Sequence, residues 1–197
     1  PSLIHRIDRN TSGILMVAKK KNILTKLVSD FKEHTSKASK KGNNPIKKIY
    51  YAIVFWKLHK RKAIIQDKLL RIENAKNKDK VQISEKWKTA ITNYITLKEH
   101  VLRAKENTIV ITELEIEIET WRMHQIRVHM ASIWNPIIWD NVYWDKKLNS
   151  FIERNYWLKR QALHAWKISF FHYTRKKQIE LTARIKKDLS DFIKKIK

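Results

Sequence analysis

His5-Arg6-Ile7-Asp8-Arg9-Asn10-Thr11-Ser12-Gly13 sets one carboxylate among two arginines and a histidine, followed by two hydroxyl residues and a glycine. Cationic neighbours favour the ionised form of a carboxylate. The apolar run Ile14-Leu15-Met16-Val17-Ala18 that follows has strand length. As a buried strand it would hold Asp8 on a rigid edge, where chemistry needs it. The same residues could instead make a turn in which Asp, Thr and Ser bond to their own backbone. Two further stretches carry reactive types. Lys48-Ile49-Tyr50-Tyr51-Ala52-Ile53-Val54-Phe55-Trp56 puts two tyrosines at the start of an apolar strand. They serve either core packing or a site, and their side chains leave opposite faces of the strand. Arg122-Met123-His124-Gln125-Ile126-Arg127-Val128-His129 carries two arginines and two histidines on a short helix. Zinc does not fit there: the histidines are five apart and no HExxH glutamate lies between them. Phosphate contact is the default use of such a basic face.

The elements around these residues follow from hydrophobic period. Helical spacing of Ile23, Leu24, Leu27, Val28 and Phe31 predicts a helix from Lys21 to about Ala38. A basic loop over Ser36 to Lys48 turns at Gly42-Asn43-Asn44-Pro45. Ile49 to Trp56 reads as a buried strand, and Lys57 to Lys80 as a short hairpin and a solvated loop. Alternation over Ala90–Leu97 and Thr108–Glu119 predicts two half-buried strands. Arg122 to Ile133 has the helical period, and Trp134 to Asn149 reads as turns with short strands. Ala162–Tyr173 and Gln178–Thr182 form a closing hairpin, and Lys186–Ile196 a final helix. Strands outnumber helices and follow one another directly. The expectation is an α+β domain on a mixed, largely antiparallel sheet flanked by helices, filling residues 1–197 without a second domain.

Composition narrows the partner. Forty-three Lys and Arg against nineteen Asp and Glu leave a net charge of +24, which calls for a polyanion. Nucleic acid comes first and an anionic membrane surface second, the latter through a basic amphipathic helix such as Lys186 to Lys197. No run reaches membrane-spanning length and no signal peptide is present, so the expectation is a cytoplasmic protein. The absence of cysteine excludes disulfides, thiolate catalysis and cysteine-ligated zinc.

His5 to Lys19 resembles the active-site signature of the RluA-type pseudouridine synthases, H-R-L-D-x-x-T-S-G-x-L-L-x-A-K, with conservative exchanges at Ile7 and Met16. Lys48 to Trp56 resembles the family's K-x-Y-x-A-x-V-x-G, with Tyr50 on its tyrosine and Trp56 on its glycine. Arg122 to His129 resembles G-R-x-H-Q-I-R-V-H. Asn135-Pro136-Ile137-Ile138 with Asp140 and Tyr143 is similar to G-H-P-I-x-G-D-x-x-Y-G, with Asn135 for the usual histidine. Leu158 to Ala165 is similar to the late L-x-R-x-x-L-H-A stretch. The resemblance implies isomerisation of uridine to pseudouridine in RNA, ribosomal large-subunit RNA ahead of transfer RNA, without cofactor or metal. It implies Asp8 as the catalytic carboxylate, Tyr50 against the base and Arg127 pairing with Asp8. It places His5, Arg6, Arg9, Thr11, Arg122, His124 and Arg160 toward RNA. A monomer is the default for a protein that docks on a large RNA. A non-catalytic RNA-binding or ribosome-associated module is the alternative that charge alone would equally support. In relatives the first strands, and often an S4-type RNA-binding module, precede the position of Pro1, so the chain reads as an N-terminally truncated catalytic domain.

Glycine is nearly missing. A chain of this size should carry roughly fourteen, yet it has two glycines and eight tryptophans. Trp56, Trp87, Trp121, Trp134, Trp139, Trp144 and Trp157 fall at turns or where the resembling motifs carry glycine. A tryptophan cannot take positive φ cheaply. The pattern predicts UGA codons that the source lineage reads as glycine and that are rendered here as tryptophan. The alternative is that the rings are genuine and stack on RNA bases.

Overall fold

A computed structural model describes residues 1–34, 46–72, 80–104 and 107–196; the Gly42-Asn43-Asn44-Pro45 turn lies outside them. In chain order the elements are β1 (Ser2–Leu3), β2 (Ser12–Gly13), β3 (Val17–Ala18), α1 (Lys21–His34), β4 (Lys47–Phe55), β5 (Lys62–Arg71) and β6 (Val81–Ile83). Then follow β7 (Lys88–Ala104), β8 (Asn107–Ile118), α2 (Gln125–Ser132), α3 (Lys146–Tyr156), β9 (Leu163–His172), β10 (Lys177–Thr182) and α4 (Lys187–Lys195). The main sheet runs β10-β9-β4-β8-β7-β5-β6, antiparallel throughout, while β2 joins β9 in parallel and β1 pairs with β3 apart from it. The sheet is therefore mixed and largely antiparallel, and the fold is α+β as expected.

β4 is the central strand, with β8 on one side and β9 on the other. Covered on both faces, Ala52, Ile53, Val54 and Phe55 are all fully buried, which is why this stretch reads as an unbroken apolar run. β8 alternates instead. Leu114, Ile116 and Ile118 enter the core, while Glu113, Glu115 and Glu117 face away and take partners in Tyr51, Lys167 and Lys47. Ile126 and Met130 of α2, Ile152 of α3, and Leu189 and Phe192 of α4 complete the main core. A second core gathers Leu27 and Phe31 of α1 with Ile4, Met16, Ala18, Ile168 and Phe170.

Three elements differ from expectation. The run Ile14 to Ala18 is not one buried strand: Met16 and Ala18 turn inward, Leu15 and Val17 outward, and only Val17–Ala18 pairs, with β1. Its two faces meet different surroundings, so it zigzags between core and solvent. The charged stretch after Lys57 contains β5, ten residues long, because Ile65 and Leu69 recur at an even spacing that the intervening charges hide. The turns and short strands expected up to Asn149 give way at Lys146 to a helix that runs to Tyr156, started by Asp145, whose side chain accepts from the Lys147 amide.

The backbone also bears on the tryptophans. Trp56, Trp134, Trp139 and Trp157 hold φ of 63, 61, 62 and 60°, in the left-handed region. Trp157 caps the end of α3 there, a position that glycine usually fills. Trp87, Trp121 and Trp144 lie outside that region. Gly13 has φ 110°, and a Cβ on it would overlap the Ala165 carbonyl, so no side chain fits where β2 meets β9.

Candidate active site

The loop carrying Asp8 is held at both ends. His5 Nε2 accepts the Met16 amide at 3.1 Å, and its ring stacks on Phe31. Burial, with Lys48 adding to it, pulls the His5 pKa down to about 4, so the ring is neutral and works as an acceptor. At the other end Ser12 Oγ bonds His164 Nδ1 at 2.8 Å, and the Ile14 amide donates to the Ala165 carbonyl. Between these anchors the Thr11 amide closes a turn onto the Asp8 carbonyl. The turn and the rigid mounting thus coexist.

Arg127 projects from the first turns of α2 and is almost wholly buried. Its Nη1 donates to Asp8 Oδ2 at 3.3 Å. Nε and Nη2 bind Asp140 in a two-pronged pair at 2.6 and 3.0 Å. Burial works against the guanidinium charge, but the bonds and charge of Asp140, with Asp8 behind it, outweigh burial and raise its pKa. Asp140 in turn accepts the amides of Val142 and Tyr143, which fixes the loop that carries it.

His124 immediately precedes α2 with φ 53°, a left-handed conformation rare outside glycine. The Tyr143 hydroxyl accepts the Val81 amide and lies 2.8 Å from His124 Nδ1. In a neutral ring Nδ1 then accepts, leaving the proton on Nε2, which stands 4.0 Å from Asp8 Oδ2. Gln125 ties the helix start to the sheet. Its Oε1 accepts from Thr120 and from the Arg122 amide, and its Nε2 donates to Ile91 and Thr92 of β7.

Asp8, Tyr50 and Arg127 line one cavity of about 380 Å³, together with His5, Arg6, Thr11, Arg122 and His124. Tyr50 faces into it from β4; burial first, and then Asp8, raises the pKa of its phenol. Tyr51 leaves the other face of the strand, where its hydroxyl donates to Glu113. Arg122 donates from Nε to the Thr89 carbonyl, and burial lowers its pKa. Trp121 and Phe31 pack together on the cavity wall, with ring centres 4.4 Å apart.

Two of the expected residues stand elsewhere. Arg9 is exposed and outside the cavity. Arg160 is bound in a two-pronged pair to Asp188 of α4, at 2.7 Å for each bond, and Nη1 donates to the Gln161 carbonyl, so it pins α4 to the chain before β9. Sequence reasoning assigned no role to Asp140, Tyr143, Gln125 or Lys48. All four fall inside the quoted motifs, but their partners lie on other elements.

The RNA pseudouridylate synthase family pattern matches residues 1–132. The ribosomal large subunit pseudouridine synthase C of Buchnera aphidicola subsp. Baizongia pistaciae is 38% identical over 181 residues, covering 92% of this chain and 52% of the relative. The protein of the same name from Vibrio cholerae is 31% identical, covering 99% of this chain and 55% of the relative. The chain thus spans about half the length of the curated relatives it matches. Among solved structures, human RNA pseudouridylate synthase domain containing 1 superposes with a TM-score of 0.72 at 23% identity, over 93% of this chain and 69% of that one. That likeness establishes the fold. With the family pattern over two thirds of its length and relatives at this identity, the chain belongs to the RNA pseudouridylate synthase family, as its RluA-type signatures led one to expect.

Proposed function

We propose that this chain converts uridine to pseudouridine in RNA, with large-subunit ribosomal RNA as the substrate. One observation carries the reading: Asp8, Tyr50 and Arg127 come from three separate elements and meet in one cavity. The names of the relatives support the choice of RNA. The N1–C1′ bond of the uridine breaks, the base turns, and C5 joins C1′. A base cannot reach a carboxylate this recessed while stacked, so the nucleotide flips into the cavity. Asp8 acts at the sugar, either by attacking C1′ or by assisting loss of the C2′ proton. Arg127 pairs with its Oδ2, and His124 Nε2 stands 4.0 Å from the same oxygen. Tyr50 lies against the base and helps to move a proton. Arg6, Thr11 and Arg122 receive the flanking backbone, and the chain acts as a monomer in the cytoplasm.

The test is to incubate the protein with an unmodified transcript of the organism's large-subunit ribosomal RNA and map pseudouridine chemically. We expect at least one uridine to be converted by the wild type and none by Asp8→Asn at equal RNA occupancy. Conversion by Asp8→Asn at the wild-type rate would overturn the assignment, and no conversion by the wild type would favour a binding module.

A further inference from the structure

Lys48 is buried at 5% exposure inside the cavity that holds Asp8. It precedes Tyr50 by two residues on β4, so both side chains leave the same face of the strand. Among the described residues no carboxylate lies within ion-pair distance of its ammonium; Asp8, which lines the same cavity, pairs with Arg127. The ammonium instead lies 4.6 Å from the ring centres of both Phe31 and Trp121. Ring faces favour a cation without neutralising it, and the Phe31 contact does not depend on residue 121. Desolvation draws the Lys48 pKa down to about 7, so the group stands between charged and neutral near physiological pH. A buried cation without a counter-ion is costly to keep, and such groups in clefts concentrate where chemistry uses them.

We propose that Lys48 is a further catalytic residue, the cation that binds the uracil anion while the base is detached from the sugar. The assignment rests on the synthase reading above. When N1–C1′ breaks, the electron pair leaves with the base and spreads over N1, O2 and O4. An ammonium donating to one of those oxygens lowers the energy of this state while meeting a neutral uridine more weakly, which is the difference that accelerates a reaction. Rejoining draws the pair back: C5 bonds to C1′, the C5 proton moves to N1, and Lys48 keeps its own protons. The anion supplies the counter-charge that no carboxylate among the described residues gives Lys48 within ion-pair distance.

The experiment compares wild type, Lys48→Met, Lys48→Arg and Asp8→Asn on the unmodified large-subunit ribosomal RNA transcript. Single-turnover rate at saturating enzyme, RNA affinity against salt, melting temperature and the pH–rate profile are measured for each. Lys48→Met should slow the saturated rate about a hundredfold, as loss of one transition-state donor does. It should leave RNA affinity unchanged and raise the melting temperature, because a buried charge is replaced by an apolar chain of like length. Lys48→Arg should restore part of the rate. The wild-type rate should fall as pH rises through the lysine titration, and the Lys48→Met profile should lack that limb. An unchanged saturated rate in Lys48→Met would overturn the proposal. So would a loss confined to RNA affinity with a shallower salt slope, which would mark a phosphate contact. If Lys48→Met modifies the RNA at the wild-type saturated rate and Asp8→Asn does not modify it, only the Lys48 assignment falls. A wild type that makes no pseudouridine removes the synthase reading and this one with it.

Discussion

Arg127 answers to two carboxylates, and it divides itself unequally. Asp140 takes the edge with Nε and Nη2, while Asp8 receives only Nη1. Asp140 therefore fixes the guanidinium, and the guanidinium presents one proton to Asp8. Both contacts to Asp8, from Arg127 and His124, fall on Oδ2, which leaves Oδ1 outside that clamp. Asp140→Asn should accordingly cost more than one bond. It leaves a buried guanidinium with Asp8 as its one remaining charge partner, and breaking a buried pair costs about 3 kcal/mol. Chemical denaturation would register that loss. The rate should fall about a hundredfold, because a misplaced reacting group costs about that much. Asp8→Asn should behave in the opposite sense, losing activity while keeping stability, since Asp140 still holds Arg127. A melting curve for Asp8→Asn that drops as far as that of Asp140→Asn would contradict this division of roles.

At the scale of the element, strain sits where chain segments turn. Trp134 and Trp157 are each 73% exposed, so they give up little packing in return for their left-handed backbone. Such a conformation costs a non-glycine residue about 1–3 kcal/mol. Trp134→Gly and Trp157→Gly should each raise the melting temperature, Trp157→Gly after subtracting the contact that Lys195 makes with its ring. Sequencing the gene settles the origin of these residues independently: UGA codons at Trp56, Trp134, Trp139 and Trp157 are the expected result, and UGG codons would mean that the rings are genuine. Gly13 makes the converse case. A Cβ there collides with the backbone of β9, so Gly13→Ala should separate β2 from β9 and move the Asp8 loop. The expected outcome is a loss of activity larger than the loss of stability, measured side by side.

At the scale of the molecule, charge and buried titratable groups set the response to solvent. A net charge of +24 implies that RNA binding releases many counterions. Affinity for RNA should fall about a hundredfold or more between about 50 and 200 mM salt. His5 and His129 are held by burial at pKa values of about 4, against 6.5 when exposed. Within that window the unfolded chain binds more protons than the folded one. Stability therefore rises with pH from about 4 to 6.5 and is lost on acidification. Lys48 acts in the same direction higher up, with about 7 in the fold against 10.5 unfolded, so stability rises again between those values. Urea unfolding at a series of pH values should show both slopes; Lys48→Met should flatten the upper one and weaken the lower one, because the Lys48 charge helps to lower the His5 pKa. No helix among the described residues is long and apolar enough to cross a membrane.

Much of this was legible before any coordinates. The family signatures around Asp8, Tyr50 and Arg127 are contiguous, and so are the alternation of β8 and the helical spacing of α1, α2 and α4. Such patterns depend on residues within four positions of one another, and local period and steric preference are enough to read them. Tertiary structure decided what crosses elements. Asp140 claims Arg127 across thirteen positions and Asp188 claims Arg160 across twenty-eight, so one arginine became part of the site and the other a strut. β5 was hidden because charges occupy the outward half of its alternation, and α3 because its start lies in a cap rather than in a long apolar stripe. Burial of Lys48 was equally invisible, because a lysine at the edge of a strand is charged and solvated until the rings of Phe31 and Trp121 close over it. Sequence determines which groups are available and the period on which they recur; which of them lose their water, and to which partner, is set only when distant segments pack.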